Sequence, residues 1–170
     1  MGDEPRYLRE YARELKCAGE RQFRRRFPHP VLVCVSIVGE IKDEPRWRRR
    51  TLPIEGENEY VPMQSILHRV WSVKLGDTRS DSLIVVGQDA RCDVVIPEYT
   101  ISRQHCAFTA DPSAPREIKD IGSLNGTKVD DTLLALERSI RIRSGSTVLM
   151  GRMKFMYYNV TGLLRRLDHV

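Results

Sequence analysis

The sequence predicts a mainly β fold of the antiparallel sandwich type, and three observations carry that reading. First, short runs of strand-forming residues recur: Leu83 to Val86, Val94 to Ile96, Cys106 to Phe108 and Glu117 to Ile121. Second, turn formers punctuate them: Gly87, Pro97, Gly122 and the pair Asn125-Gly126. Asn-Gly between strands reads as a tight hairpin turn with φ > 0 at both central positions. Third, Val70, Ser72 and Lys74 alternate with Trp71, Val73 and Leu75, the period of a half-buried strand.

Taken in order, the chain begins with a helix. Asp3 or Glu4 can cap it, and Pro5 suits its first turn. Leu8, Tyr11, Ala12, Leu15 and Ala18 recur at helical spacing, so a helix is expected over about residues 5–18. Gly19 weakens it, Phe23 and Phe27 can extend its contacts, and Pro28 and Pro30 end it. The stripe serves either to pack on the β domain or to dock another protein. Val31 to Val38 is rich in β-branched residues and reads as a buried strand over about 31–38, ended by Gly39. Residues 40–65 carry Pro45, Pro53, Gly56 and Pro62 and read as irregular, with one short hairpin around Thr51 to Ile54. The organisation expected is therefore an N-terminal extension over 1–65, a β-sandwich over 66–160 and a short tail over 161–170.

Within the sandwich, Gly76 to Ser82 is a polar turn. After the central runs, Thr132 to Leu136 and Ser139 to Arg143 supply further strand material, and Thr147 to Gly151 and Met153 to Val160 close the fold. Leu163-Leu164-Arg165-Arg166-Leu167 is amphipathic and reads as one or two helical turns.

Three loop signals stand between the strands: Gly87-Gln88, Ser102-Arg103-Gln104-His105, and Ser123-Leu124-Asn125-Gly126-Thr127. With Asp93 ahead of Val94, Asp120 ahead of the third signal, and Gly145 to Gly151 late in the chain, their order and spacing resemble the forkhead-associated (FHA) domain. The resemblance covers roughly residues 66–160 and points to a bacterial FHA protein with an N-terminal extension. It implies a β-sandwich whose loops at one end bind phosphothreonine peptides. It assigns phosphopeptide contact to Ser102, Arg103, Asn125 and position 88, and loop-shaping roles to Gly87, His105 and Gly126. The family usually has Arg at position 88, where this chain has Gln88. Glutamine donates a neutral hydrogen bond and no charged fork. Arg91, three positions on in the same loop, is the candidate to replace that charge.

A phosphothreonine dianion needs several donors converging on three oxygens. Ser102 has a hydroxyl, Arg103 a guanidinium, and Asn125 both an acceptor and donors for clamping a peptide backbone. Turn-making alone is the competing role for Ser102 and Asn125.

Composition narrows the classes. At 170 residues, 41% hydrophobic and 30% charged, the chain suits a globular protein with a core. Its net charge of +5 and pI near 9.2 are compatible with an acidic partner. Cys17, Cys34, Cys92 and Cys106 lack metal-ligand spacing, as do His29, His68, His105 and His169. No metal and no cofactor is expected, and the thiols suit a reducing, cytoplasmic setting. Met1 to Arg9 carries acids and no apolar stretch, so no secretory leader is expected. Val31 to Val38 is too short to cross a bilayer. No phosphate-binding glycine loop, zinc-protease helix motif or nucleophile elbow occurs, so an enzyme is not expected.

Three functions remain on sequence grounds. One is a phosphothreonine-binding signalling adaptor acting beside a Ser/Thr kinase, with a phosphothreonine-containing protein or that kinase as partner. Another is an FHA-fold scaffold that binds its partner without phosphate, which Gln88 and Leu124 favour. The least expected is nucleic-acid binding by Arg24-Arg25-Arg26 and Arg46-Trp47-Arg48-Arg49-Arg50, since neighbouring acids such as Glu20, Glu40 and Glu44 dilute the charge.

Overall fold

A computed structural model describes residues 6–37, 66–76, 82–111 and 116–170. Among the described residues, eleven strands form two sheets, and two helices flank one of them. The strands are β1 (Val31–Ile37), β2 (Val70–Ser72), β3 (Leu83–Gly87), β4 (Val94–Val95), β5 (Cys106–Thr109), β6 (Glu117–Asp120), β7 (Thr127–Val129), β8 (Thr132–Leu133), β9 (Ile140–Arg141), β10 (Thr147–Met150) and β11 (Met153–Tyr158). The helices are α1 (Leu8–Arg26) and α2 (Val160–Leu167). One sheet runs β2-β1-β11-β10-β7-β8 and the other β4-β3-β5-β6-β9. All the pairings are antiparallel except β3–β4, which is parallel.

The core between the sheets follows the two-residue period of the strands. Ile84 and Val86 of β3, Phe108 of β5, Ile118 of β6, Val148 and Met150 of β10, and Met153, Phe155 and Tyr157 of β11 all point into it. The rings of Phe108 and Tyr157 stack across the sheets with centroids 5.9 Å apart.

The strand at 31–37, part of the N-terminal extension in sequence, joins a sheet of the sandwich. It pairs with β11 on one side and β2 on the other, and Leu32 and Cys34 belong to the main core. The hairpin expected at 51–54, Thr51 itself, Arg46 to Arg50 and the capping residues Asp3 to Pro5 lie outside the described residues.

Val31 and Val33 alternate with Leu32 and Cys34 and face the other way. There they meet Leu8, Tyr11, Ala12, Phe23 and Phe27 of the α1 region and Leu163, Leu164 and Leu167 of α2. The apolar stripe of the first helix thus packs on the β domain. Helix α1 runs longer than its stripe suggests because Phe23 and Phe27 close onto Tyr11, with ring centroids 6.2 and 4.9 Å away. Gly19, at φ 76°, marks a kink within it. The helix entry is held by the Glu10 carboxylate, which accepts from the Arg6 and Tyr7 amides at 2.6 and 3.1 Å. The basic cluster on this helix is a solvated face: Arg24 pairs with Glu20 at 2.9 Å and Arg26 with Glu14 at 2.6 Å.

The tight hairpin turn with both central φ positive is Asp130-Asp131, at 46° and 65°, between β7 and β8. Asn125-Gly126 does not adopt that turn. Of the two, only Gly126 has positive φ, at 79°. Asn125 is instead held by a side-chain bond that the local sequence does not specify.

Candidate functional site

Three loops meet at one end of the sandwich: 88–93 between β3 and β4, 96–105 between β4 and β5, and 121–126 between β6 and β7. Backbone bonds lace the first to the second. The Gln88 amide donates to the Ser102 carbonyl at 3.1 Å and the Asp89 amide to the Arg103 carbonyl at 3.2 Å. The Cys92 thiol also donates to the Arg103 carbonyl, at 3.0 Å.

Ser102 and His105 join the second loop to the third. The Ser102 hydroxyl oxygen accepts from the Leu124 amide at 2.9 Å, and the Ser102 amide donates to His105 Nδ1 at 3.0 Å. An accepting Nδ1 carries no proton, so Nε2 holds it and donates to the Gly126 carbonyl at 3.1 Å. The fully buried imidazole is therefore a neutral brace, and the Ser102 hydroxyl oxygen serves the Leu124 amide as acceptor.

Burial pushes the His105 pKa below its ordinary 6.5, against weaker upward pulls from the Gly126 carbonyl and Asp120. The unfolded chain then takes up a proton first as pH falls. The stability contributed by neutral His105 is fully present above about pH 6.5 and is lost as pH falls from there through the depressed folded value. Urea titrations at pH 7.5, 6.5 and 5.5 are expected to show a falling midpoint for wild type and a flatter profile for His105→Gln. Parallel profiles would show that this histidine does not set the pH dependence.

Asn125 is exposed, and its Nδ2 donates to the Thr100 carbonyl at 2.8 Å. That bond ties the third loop back to the second. Arg103 is exposed, with its backbone clamped as described above. Ser102, Arg103 and Asn125 are thus brought to one surface.

Gln88 and Arg91 are placed differently from the expectation that both reach a phosphate. The Gln88 side chain is buried and turned inward, and its Nε2 donates to the Ile101 carbonyl at 2.8 Å. Its Oε1 is buried without a partner among the described residues. It props the second loop from beneath. The Arg91 guanidinium grips Asp89 in a two-pronged pair, Nε to Oδ1 at 3.0 Å and Nη2 to Oδ2 at 2.9 Å. Asp89 also accepts from the Arg91 amide at 2.9 Å. The Arg91 bonds hold the Asp89 carboxyl well below the usual carboxylate range. Arg91 remains 87% exposed, so its charge is at the surface but already partnered.

A support that the local sequence does not reveal lies behind the loops. Buried Glu98 pairs with Arg152 of the β10–β11 turn at 2.8 Å. Glu98 also accepts from the Thr100 amide at 2.9 Å and from the Thr100 hydroxyl. Arg152 donates its amide to the Thr100 hydroxyl at 3.0 Å, and its guanidinium lies 4.6 Å from the Tyr99 ring centre. Glu98 and Arg152 are 54 positions apart, which is why spacing motifs miss them. Glycine suits position 151 beside them: its φ is 56°, and a Cβ there would stand 2.5 Å from the Thr100 carbonyl oxygen.

Among the described residues no cluster of His, Cys, Asp or Glu fit to hold a metal occurs, and no helix is long and apolar enough to cross a membrane.

Residues 84–151 match the family model of the FHA domain. Solved structures are similar as well. A hypothetical protein of Arabidopsis thaliana, described by the solution structure of its FHA domain, is 20% identical, with 94% of this chain and 93% of that chain covered and a TM-score of 0.49. The FHA domain of CT664 from Chlamydia trachomatis is 24% identical over 54% of this chain and 86% of that one, with a TM-score of 0.44. A structure concerned with phosphothreonine-dependent FHA domain interactions is 18% identical over 54% of this chain and 84% of its own, also at 0.44. The stretch that matches the FHA model, residues 84–151, holds all three loops that meet at this end of the sandwich.

Proposed function

We propose that the domain reads phosphothreonine in a partner protein and works as a signalling adaptor beside a Ser/Thr kinase, without catalytic activity of its own. The observation that carries this reading is the Ser102 hydroxyl. Its oxygen is fixed by the Leu124 amide while its proton remains available, at the point where two loops are tied together. A donor held in place before the ligand arrives loses little entropy on binding, which is the condition for a strong charge-assisted bond to phosphate. Exposed Arg103 supplies the nearby positive charge, and Asn125 presents an acceptor for the peptide backbone.

The test is binding of a degenerate phosphothreonine peptide library, beside its unphosphorylated twin, to wild type and Ser102→Ala. One hydrogen bond to a charged group contributes about 1.5–3 kcal/mol, so Ser102→Ala is expected to weaken phosphopeptide binding by about tenfold or more. The alanine variant also loses the Leu124 tie, so Arg103→Gln, which leaves that tie intact, serves as a second probe. Equal binding of both libraries to all three proteins would refute the reading.

Burial of Gln88 and pairing of Arg91 favour a second reading, in which the loop end binds a partner without phosphate. Binding that ignores the phosphate and survives Ser102→Ala would support it.

A further inference from the structure

Helix α1 folds back on itself. Arg26 Nη1 lies 2.6 Å from Glu14 Oε2, although 12 positions separate them. On a straight helix that separation would span about 18 Å. The reversal is at Gly19, at φ 76°. The short arm after it carries Phe23 inward and leaves Arg24, Arg25 and Arg26 exposed. This arm borders two adjoining clefts that share Arg25, Arg26 and Phe27. One, of about 300 Å³, lies in the crook of the helix and is lined also by Ala18 and Phe23. The other, of about 320 Å³, adds His29, Ser72 and Lys74, and no acid among the described residues lines it.

The clefts lie at the far end of the sandwich from the three loops. β11 starts at Met153, next to Arg152, which touches Thr100 of the second loop. Val31 pairs with Tyr158 and Ser72 at the other end of the same sheet. The run from Met153 to Tyr158, at about 3.3 Å per residue, separates the two ends. Arg26 is held by Glu14, and its guanidinium lies 5.5 Å from the Phe27 ring centre, which orients its remaining donors. Arg25 has no acid partner among the described residues. We infer that the two clefts form a second binding surface, independent of the phosphothreonine edge, for a short acidic segment of a partner protein. Its carboxylates pair with Arg25, Arg26 and Lys74, and an apolar side chain between them sits against Ala18 and Phe27. A confined recess suits a short segment better than a nucleic acid, whose backbone needs cations spread along a track. Glu14 in the crook and Glu20 beside Arg24 also oppose a long polyanion.

The test uses the full chain and a fluorescein-labelled peptide of glutamates flanking a central leucine, beside its twin with glutamines, read by fluorescence anisotropy at low salt. Wild type, Arg25→Gln with Lys74→Gln, Arg141→Gln with Arg143→Gln, and Ser102→Ala are titrated in parallel. The Arg141/Arg143 pair removes the same charge from exposed positions elsewhere and is the control. Lys74 is half-buried, so Arg25→Gln alone, at an exposed position, is the second variant, and denaturation midpoints check that each protein folds. The glutamate peptide is expected to bind wild type about tenfold more tightly than its glutamine twin. The Arg25/Lys74 variant should lose about tenfold, the combined scale of two ion pairs, and Arg25→Gln alone about threefold. The control pair and Ser102→Ala should bind the glutamate peptide like wild type. Equal binding of the two peptides, or the same loss in the control pair, overturns the inference. Glutamate-peptide binding that Ser102→Ala abolishes places the acid at the loop edge and overturns it too. A single-stranded thymidine oligonucleotide that binds more tightly than the peptide, and is weakened in the Arg25/Lys74 variant, would overturn the peptide assignment in favour of nucleic acid.

Discussion

Gly87→Ala is expected to destabilise the domain by about 3 kcal/mol or more, at the upper end of what overpacking costs. The reason is space. A Cβ at position 87 would stand 2.1 Å from the Arg103 carbonyl oxygen, 2.7 Å from its carbonyl carbon and 3.0 Å from the Gln104 Cα. All of these are backbone atoms, so no flexible side-chain end can swing aside. Relief requires the Ser102-to-Gln104 segment to move away from β3. That segment is bonded there through the Gln88, Asp89 and His105 amides and the Cys92 thiol, so the loop end would be disrupted along with the fold. Equilibrium urea unfolding of both proteins measures the loss, and phosphopeptide titration in the absence of urea measures the site. A variant within about 1 kcal/mol of wild type would show that the loop can give way, against the tight packing assigned to it.

Gly87 illustrates what the sequence reveals. Local turn chemistry is written in neighbouring residues, so the loop signals at Gly87, Ser102 to His105 and Asn125-Gly126 fall where strands end, at one end of the sandwich. Side-chain direction is not local. Whether Gln88 points at a ligand or beneath the next loop depends on Ile101, 13 positions away. The Glu98–Arg152 pair is equally invisible, because nothing near either residue names the other. Strand partners are hidden for the same reason. Val31 to Ile37 is recognisable as a strand from its β-branched residues, but membership of the sandwich is decided by Tyr158 to Met153 at the far end of the chain. The Asn-Gly pair misleads because a distant carbonyl, that of Thr100, captures the Asn125 amide and overrides the intrinsic turn preference. Asp130-Asp131 takes the mirror-image turn instead, helped by Asp130 accepting from the Thr147 amide at 2.8 Å and the Ser146 hydroxyl at 2.9 Å.

Asp120→Ala is expected to cost about 3–4 kcal/mol and, on the proposed phosphothreonine reading, to abolish phosphopeptide binding. One carboxylate organises the whole third loop. Its Oδ1 accepts from the Gly122 and Ser123 amides, each at 2.9 Å. Its Oδ2 accepts from the Ser123 hydroxyl and, at 2.7 Å, from the fully buried Thr127 hydroxyl. Burial alone would raise the Asp120 pKa, but these donors outweigh it and leave it below the ordinary 3.8. The sign follows from that direction. Its contribution to stability is present above about pH 3.8 and is lost as pH falls below that value through the folded pKa. Alanine leaves the Thr127 hydroxyl without an acceptor in a dry site and frees the loop that carries Leu124, Asn125 and Gly126. Asparagine keeps one carbonyl oxygen for the two amides, and its NH₂ can donate to hydroxyls that turn to accept. Asp120→Asn should therefore cost only about 1 kcal/mol. Urea midpoints of wild type and both variants at pH 7 give the ranking. If alanine and asparagine cost the same, the loop is held by its backbone and not by this carboxylate. If alanine costs more yet leaves phosphopeptide affinity unchanged, the third loop has no part in the binding surface.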